Sequence, residues 1–425
     1  MPAILSSSNR AQLAYKLEGV YPSNFGSVQA GNGTLLAMTS ETFDFQLTTK
    51  SSAAIRADRL SNDIVQVGFS SSGGFNGEHV YKEYDPFIQA ALSNDYTVYG
   101  AAGVGTPITA LTVTSATVLT AGVALTGNND LVNLKKGQWF SINPPAGATA
   151  SVKEYLYGRA FKTSTTVAAS STVITLDAST PYSTALGGAS LTGAMIGSSY
   201  AWNGGLASVL KTYTIEVQHT DITQYRQYQG MALSKMDLKF AVGDIVTVAF
   251  EFMGKNFVLK QTSDITTGMG APVASQVWTP ANATKGIFDI FEGGASISAV
   301  TFIKSADVSY DNTLRGQDAV GVAGLAGIGV GSQVITGKME LYFAEASIYS
   351  KFIANAASSL SIPVVDDKGN GYVYFYPRIK YTTAKLAVGG QDQDNMLSVD
   401  WTALPETEAT SPWFGKSAVI FRVGA

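Results

Sequence analysis

Asp244-Ile245-Val246-Thr247-Val248-Ala249-Phe250-Glu251-Phe252 alternates between two kinds of side chain. Val246, Val248, Phe250 and Phe252 share one face, and Thr247, Ala249 and Glu251 share the other. A period of two marks a strand with one face in a core and one face turned away from it. The pattern returns in Tyr213, Ile215 and Val217 against Thr214, Glu216 and Gln218, and in Met339, Leu341 and Phe343 against Lys338, Glu340 and Tyr342. Val300-Thr301-Phe302-Ile303 and residues 372–381 are further strands by their β-branched and aromatic content. Glycine, 43 residues in all, supplies the turns between them. Asp366-Asp367-Lys368-Gly369-Asn370-Gly371 reads as a tight hairpin connection.

Helix signals are few. Asp85 reads as an N-cap before Pro86, and Phe87, Ile88, Ala90, Ala91 and Leu92 extend a short helix to about Asn94. A second runs from Ser347 to Ala357, with Ile348, Phe352, Ile353 and Ala356 on one face. The fold class is therefore all-β, with one or two short helices. Residues 104–195 differ in composition, being rich in Thr, Ser, Ala and Val and poor in charge. They carry strand signals of their own at 108–114, 138–142 and 172–176. The expectation is a small inserted β domain at 104–195, facing outward, within a discontinuous β domain formed by 1–103 and 196–425. No repeat of 20–50 residues is visible.

Charged residues make up 14% of the 425, well below the usual quarter, and mean hydropathy is +0.12. Such a surface needs neighbours to cover it. The longest apolar stretch, Ala319 to Val330, is broken by four glycines and falls short of a membrane-spanning helix. The opening Met-Pro-Ala-Ile-Leu-Ser carries neither the basic region nor the apolar core of an export signal, so none is expected. The chain has no cysteine, which excludes disulfides, thiolate metal sites and cysteine nucleophiles. A net charge of −4 argues against a dedicated nucleic-acid binder.

Catalytic and ligand motifs fail on inspection. His79 and His219 are the only imidazoles, too few for a histidine metal site. No Gly-x-Ser-x-Gly occurs. Gly415-Lys416-Ser417 lacks the earlier glycine of a phosphate loop, where Thr410 stands instead. The glycine-rich run 321–329 has the wrong spacing for a dinucleotide site and reads as a mobile loop. Asp392-Gln393-Asp394-Asn395 begins like a calcium loop but lacks its glycine and closing glutamate. No enzyme activity and no cofactor are expected.

Two further stretches carry a family resemblance. The first runs from Ile55-Arg56-Ala57-Asp58-Arg59 through Ser72-Gly73-Gly74-Phe75-Asn76-Gly77-Glu78 to Tyr84-Asp85-Pro86-Phe87 and Ala90-Ala91-Leu92. The second runs from Tyr213-Thr214-Ile215-Glu216 through Tyr228-Gln229-Gly230-Met231 to Gly243-Asp244 and on to Met253-Gly254. Together they resemble the tail tube proteins of long-tailed, noncontractile bacteriophages, as does the small β insertion between them. The resemblance implies a β-sandwich or barrel-like subunit with a helix at its side. It implies rings, usually hexameric, whose inner strands close a β-barrel around a channel, and stacks of rings that deliver DNA from virion to host.

The implied partners are other copies of the chain, the tape measure, tail terminator and tail tip proteins, and phage DNA that passes without sequence-specific binding. Assembly in the host cytoplasm is implied, and no membrane span. Alternatives are a coat or decoration protein, and less so a polysaccharide-degrading tail component. Arg56, Asp58 and Arg59 are either a solvated turn or a charged contact between subunits. Thr247, Ala249 and Glu251 are the candidates for the channel wall, which is expected to be smooth and weakly acidic because lysine-lined walls would brake sliding DNA. The glycine-rich segment 315–337 is expected to have little to bury by itself and to be ordered by neighbouring subunits.

Overall fold

The computed structural model describes residues 6–7, 10–27, 33–55, 58, 60, 63–98, 111–121, 134–143, 147–156, 159–167, 171–183, 191, 195–197, 199–204, 209–261, 279–284, 289–297, 301–366, 370–388 and 390–424. In chain order the elements begin with β1 (Ala11–Val20), β2 (Thr34–Leu36), β3 (Ser40–Glu41), β4 (Asp44–Ser51), β5 (Ile64–Glu78), α1 (Asp85–Leu92) and β6 (Thr97–Val98). Then come β7 (Thr112–Ser115), β8 (Val118–Thr120), β9 (Trp139–Asn143), α2 (Ala150–Leu156), β10 (Phe161–Lys162), β11 (Val173–Thr175) and β12 (Met195–Gly197). They continue with β13 (Ser199–Trp202), β14 (Lys211–His219), β15 (Gln224–Ala241), β16 (Thr247–Gly254), β17 (Asn256–Lys260), β18 (Phe291–Glu292), β19 (Ala295–Ser296) and β20 (Ile303–Asp311). The last are β21 (Arg315–Gln317), β22 (Gly327–Gly329), β23 (Val334–Tyr342), α3 (Ser347–Ile353), β24 (Ser358–Val365), β25 (Gly371–Ala387), β26 (Met396–Ala403) and β27 (Val419–Val423).

The fold is all-β, and every ladder between the named strands is antiparallel. One continuous layer runs β4-β5-β16-β15-β20-β23-β26-β25. β15 and β25 are long enough to serve two layers. Their second halves lie in this run. Their first halves belong to outer sheets ordered β2-β1-β14-β15-β17 and β19-β18-β24-β25-β27-β13-β6.

Alternation sets which face is buried. In β16, Val248, Phe250 and Phe252 enter the core while Thr247, Ala249 and Glu251 do not. Each large apolar side chain removed from water contributes about 1.5–3 kcal/mol. α1 closes one end of this core. Its Phe87 ring lies 4.9 Å from Tyr15, 5.1 Å from Tyr213 and 5.4 Å from Phe250.

A second apolar cluster, including Leu119, Phe140, Ile142, Phe161, Ile174 and Leu191, gathers between β7 and β12. Trp139 at its border packs 5.2 Å from Phe291 and joins Tyr200, Trp413 and Phe421 on the outer sheet.

Several local expectations shift. Asp85 is the first helical residue rather than the cap, and Tyr84 holds the cap position without a side-chain bond. The Asp85 carboxylate is drawn away to Tyr372 and Arg422. α3 stops at Ile353 rather than Ala357, because Asn355 takes a positive φ and the chain enters β24 at Ser358. The glycine-rich segment folds onto its own chain. β21 and β22 pair, Ile328 is buried with its amide donating to Tyr21 Oη at 3.1 Å, and the Phe69 amide donates to the Ala323 carbonyl at 3.0 Å. Val320 and Val322 remain exposed.

His79 is buried, with Nε2 2.6 Å from Tyr374 Oη and its ring edge-on to Tyr372. Burial pushes its imidazole down to about 4. The unfolded chain takes up this proton near pH 6.5 and the folded chain only near 4, so acid favours unfolding across that window. The loss is negligible above pH 6.5 and reaches about 3 kcal/mol at pH 4. In His79→Gln this component of the pH dependence should disappear. Urea midpoints of both proteins between pH 7.5 and 4 check it: parallel curves for the two would refute the assignment.

Candidate functional site

The eight-strand run buries one face and leaves the other free. The free face can be read row by row, since directly paired residues point the same way. One row is Glu78, Thr247, Lys239, Asp307, Lys338, Asp400 and Thr383. The next is Asn76, Ala249, Asp237, Ser309, Thr336, Thr402 and Lys380. Flanking rows bring Glu251, Lys235 and Asp311 on one side, and Ser305, Glu340, Ser398 and Lys385 on the other. The surface is made of short hydroxyl, amide and carboxylate groups, with lysines outnumbered by acids.

Three of those lysines, Lys235, Lys239 and Lys338, have an acid close by. Lys235 Nζ lies 2.8 Å from Asp237 Oδ2, which raises the Lys235 ammonium above its usual range. Lys338 Nζ lies 3.4 Å from Glu340 Oε1. Asp307 sits across the ladder from both Lys239 and Lys338. Burial pushes its carboxyl up, against the pull of these two ammonium groups. Thr383 Oγ1 donates to Asp400. Paired charges of this kind attract a phosphate only weakly, since each cation already has a fixed anion beside it. Among the described residues no cluster of His, Cys, Asp and Glu could hold a metal ion.

Thr247, Ala249 and Glu251 therefore stand on the free face of a continuous polar sheet. Arg56 and Arg59 lie outside the described residues. Asp58 is exposed, in the connection between β4 and β5. The hairpin below that connection carries a feature the sequence reading missed. Leu47, Val65 and Val67 are 54%, 52% and 50% exposed, and Ile55, Leu60 and Ile64 are exposed beside them. β5 reaches past its partner β16, which pairs only with residues 71–78, so this half of the hairpin projects beyond the neighbouring strand. The signal was available in Ile64-Val65-Gln66-Val67, a mostly apolar run ahead of Gly68 and the serines 70–72.

The two ends of the run are also open. β4 pairs only with β5, and residues 380–387 of β25 pair only with β26 among the described residues. Unpaired strand edges are templates for another chain. A family model described as phage tail tube protein matches residues 8–403, nearly the whole chain. No curated protein matches it.

Proposed function

The chain belongs to the phage tail tube protein family and is a structural subunit of a phage tail, and we propose that its copies join edge to edge into rings whose lumen is the polar face of the eight-strand run. The rings stack into a noncontractile tube, the exposed apolar hairpin of β4 and β5 serving as the axial contact. DNA passes over a wall of Thr, Ser, Asn and locally paired charges, with no dense array of free cations to hold its phosphates. The role is structural rather than catalytic.

The observation that carries this reading is the combination of one continuous polar sheet face with an unpaired edge at each end. A lone subunit gains nothing from exposed edges, whereas closure across copies pairs them. The resemblance adds the tape measure, terminator and tip proteins as partners at the lumen and ends. The segment 104–195 decorates the outside, because its own core docks through Trp139 on the outer sheet, the layer away from the lumen. Electron microscopy of the concentrated protein tests all of this at once. Hollow tubes with a channel wider than duplex DNA and knobs on the outer surface are expected. Closed shells, or knobs projecting into the lumen, would overturn the reading.

A further inference from the structure

The eight-strand run is one four-strand unit built twice. In the first unit a hairpin (β3–β4 with β5) leads to α1, then to β14, the long β15, β16 and β17. In the second a hairpin (β20 with β23) leads to α3, then to β24, the long β25, β26 and β27. The pairings match one for one. β5 pairs with β16 as β23 does with β26, β14 with β15 as β24 with β25, and β17 with β15 as β27 with β25.

The irregularities match as well. β15 slips register between Leu233 and Lys235 against β16, and β25 slips between Tyr381 and Thr383 against β26. β14 slips between Tyr213 and Ile215, opposite Met231 and Tyr228, and β24 slips between Ser358 and Leu360, opposite Ile379 and Tyr376. Bulges are specific features of a sheet. Two at corresponding places in both units mark a duplication.

One joint between units is already made inside the chain. The second half of β15 pairs with β20, Asp237 opposite Ser309 and Leu238 opposite Val308. The corresponding half of β25 is one free end of the run, and β3–β4, the counterpart of β20, is the other. We propose that β25 of one copy joins β3–β4 of the next in the register of the β15–β20 joint, and that three copies close the ring. Carried across the duplication, that register sets Lys385 opposite Asp44, Thr383 opposite Gln46 and Leu386 opposite Phe43. It places opposite charges face to face and covers Leu386, which is exposed in the single chain.

Copy number follows from width. Strands about 4.8 Å apart and tilted by about 40° take about 6 Å of circumference each. Allowing about 5 Å of side chain on each wall, two copies leave a bore of about 22 Å, three about 38 Å and six about 86 Å. A duplex about 20 Å wide with its water does not clear the first and is lost in the last. Three copies present six units, the ring of six that the family resemblance implies. This inference rests on the tube reading and specifies its joint.

The chain has no cysteine, so Asp44→Cys with Lys385→Cys introduces the only pair. Oxidised tubes, unfolded without reductant, should give a ladder ending in a closed trimer, and neither single variant should. Lys385→Glu should raise the concentration needed for assembly at least tenfold, and adding Asp44→Lys should restore it. The wild type offers a second readout. Only the first unit carries the insertion, so end-on views should show three outer knobs around a six-unit wall. Absence of any tube overturns both readings. Tubes with six knobs, or with no crosslink and no charge rescue, overturn this joint alone.

Discussion

Tubes are expected to vanish when Val65 and Val67 both become aspartate, while the subunit keeps its fold. Both side chains are about half exposed on the projecting part of the β4–β5 hairpin, beside Leu47 and Ile64. An apolar group of this extent gathered on one projecting hairpin marks a contact surface. Covering the remaining halves of two valines contributes about 1 kcal/mol each. Placing carboxylates there instead costs several kcal/mol more if they are desolvated without cations. A total of about 4 kcal/mol raises the concentration needed for polymerisation about a thousandfold. Inside the free subunit the same positions face water, where substitution changes stability by about 0.5 kcal/mol, or by about 1 kcal/mol if strand propensity counts. Sedimentation reads the polymer and thermal melting reads the fold. Undiminished tubes from the double variant would show that the hairpin is not the axial contact. Val65→Thr with Val67→Thr keeps the β-branched shape and should fall between the two.

What the sequence disclosed and what it hid divide along physical lines. β16 was legible because facing is written locally: each of Thr247, Ala249 and Glu251 is flanked by a residue that must be buried. β15 was harder. Gln227 and Gln229 are buried together with Tyr228, so alternation breaks where outer layers cover both faces. The duplication was hidden more thoroughly. Between residues 225–239 of β15 and the matching 373–387 of β25, only Tyr228 with Tyr376 and Leu238 with Leu386 are identical. Packing constrains volume and polarity at such positions far more than identity. Hence Phe250 can correspond to Val399 and Phe252 to Trp401 while the ladder and its bulge persist. Strand edges were hidden for a different reason: period two tells which face a residue takes and nothing about which strand lies beside it. Asp85 shows the limit in one residue. Asp before Pro is a sound local capping signal, yet long-range partners claim the carboxylate.

Those partners make Asp85→Ala the most damaging single substitution expected in the core. Asp85 is buried at the start of α1, in the first unit. Its Oδ1 accepts from Tyr372 Oη at 2.5 Å, and its Oδ2 pairs with Arg422 Nη1, both in the second unit. Arg422 is fixed further by Nε donating to Ser199 Oγ at 3.0 Å, and its guanidinium lies 4.9 Å from the Tyr96 ring centre. One carboxylate thus ties the helix of the first unit to β25 and β27 of the second, and through Arg422 to β13. Removing it leaves a largely buried guanidinium without its anion and a buried tyrosine hydroxyl without its acceptor. Breaking a buried pair from one side costs about 3–5 kcal/mol, most of it the penalty of the stranded charge. Removing both charges avoids that penalty, so Asp85→Ala with Arg422→Met should regain at least half of the loss. Urea midpoints of the two single variants and the double variant decide it. A loss below about 1 kcal/mol in Asp85→Ala would mean that this carboxylate is not what holds the two units together.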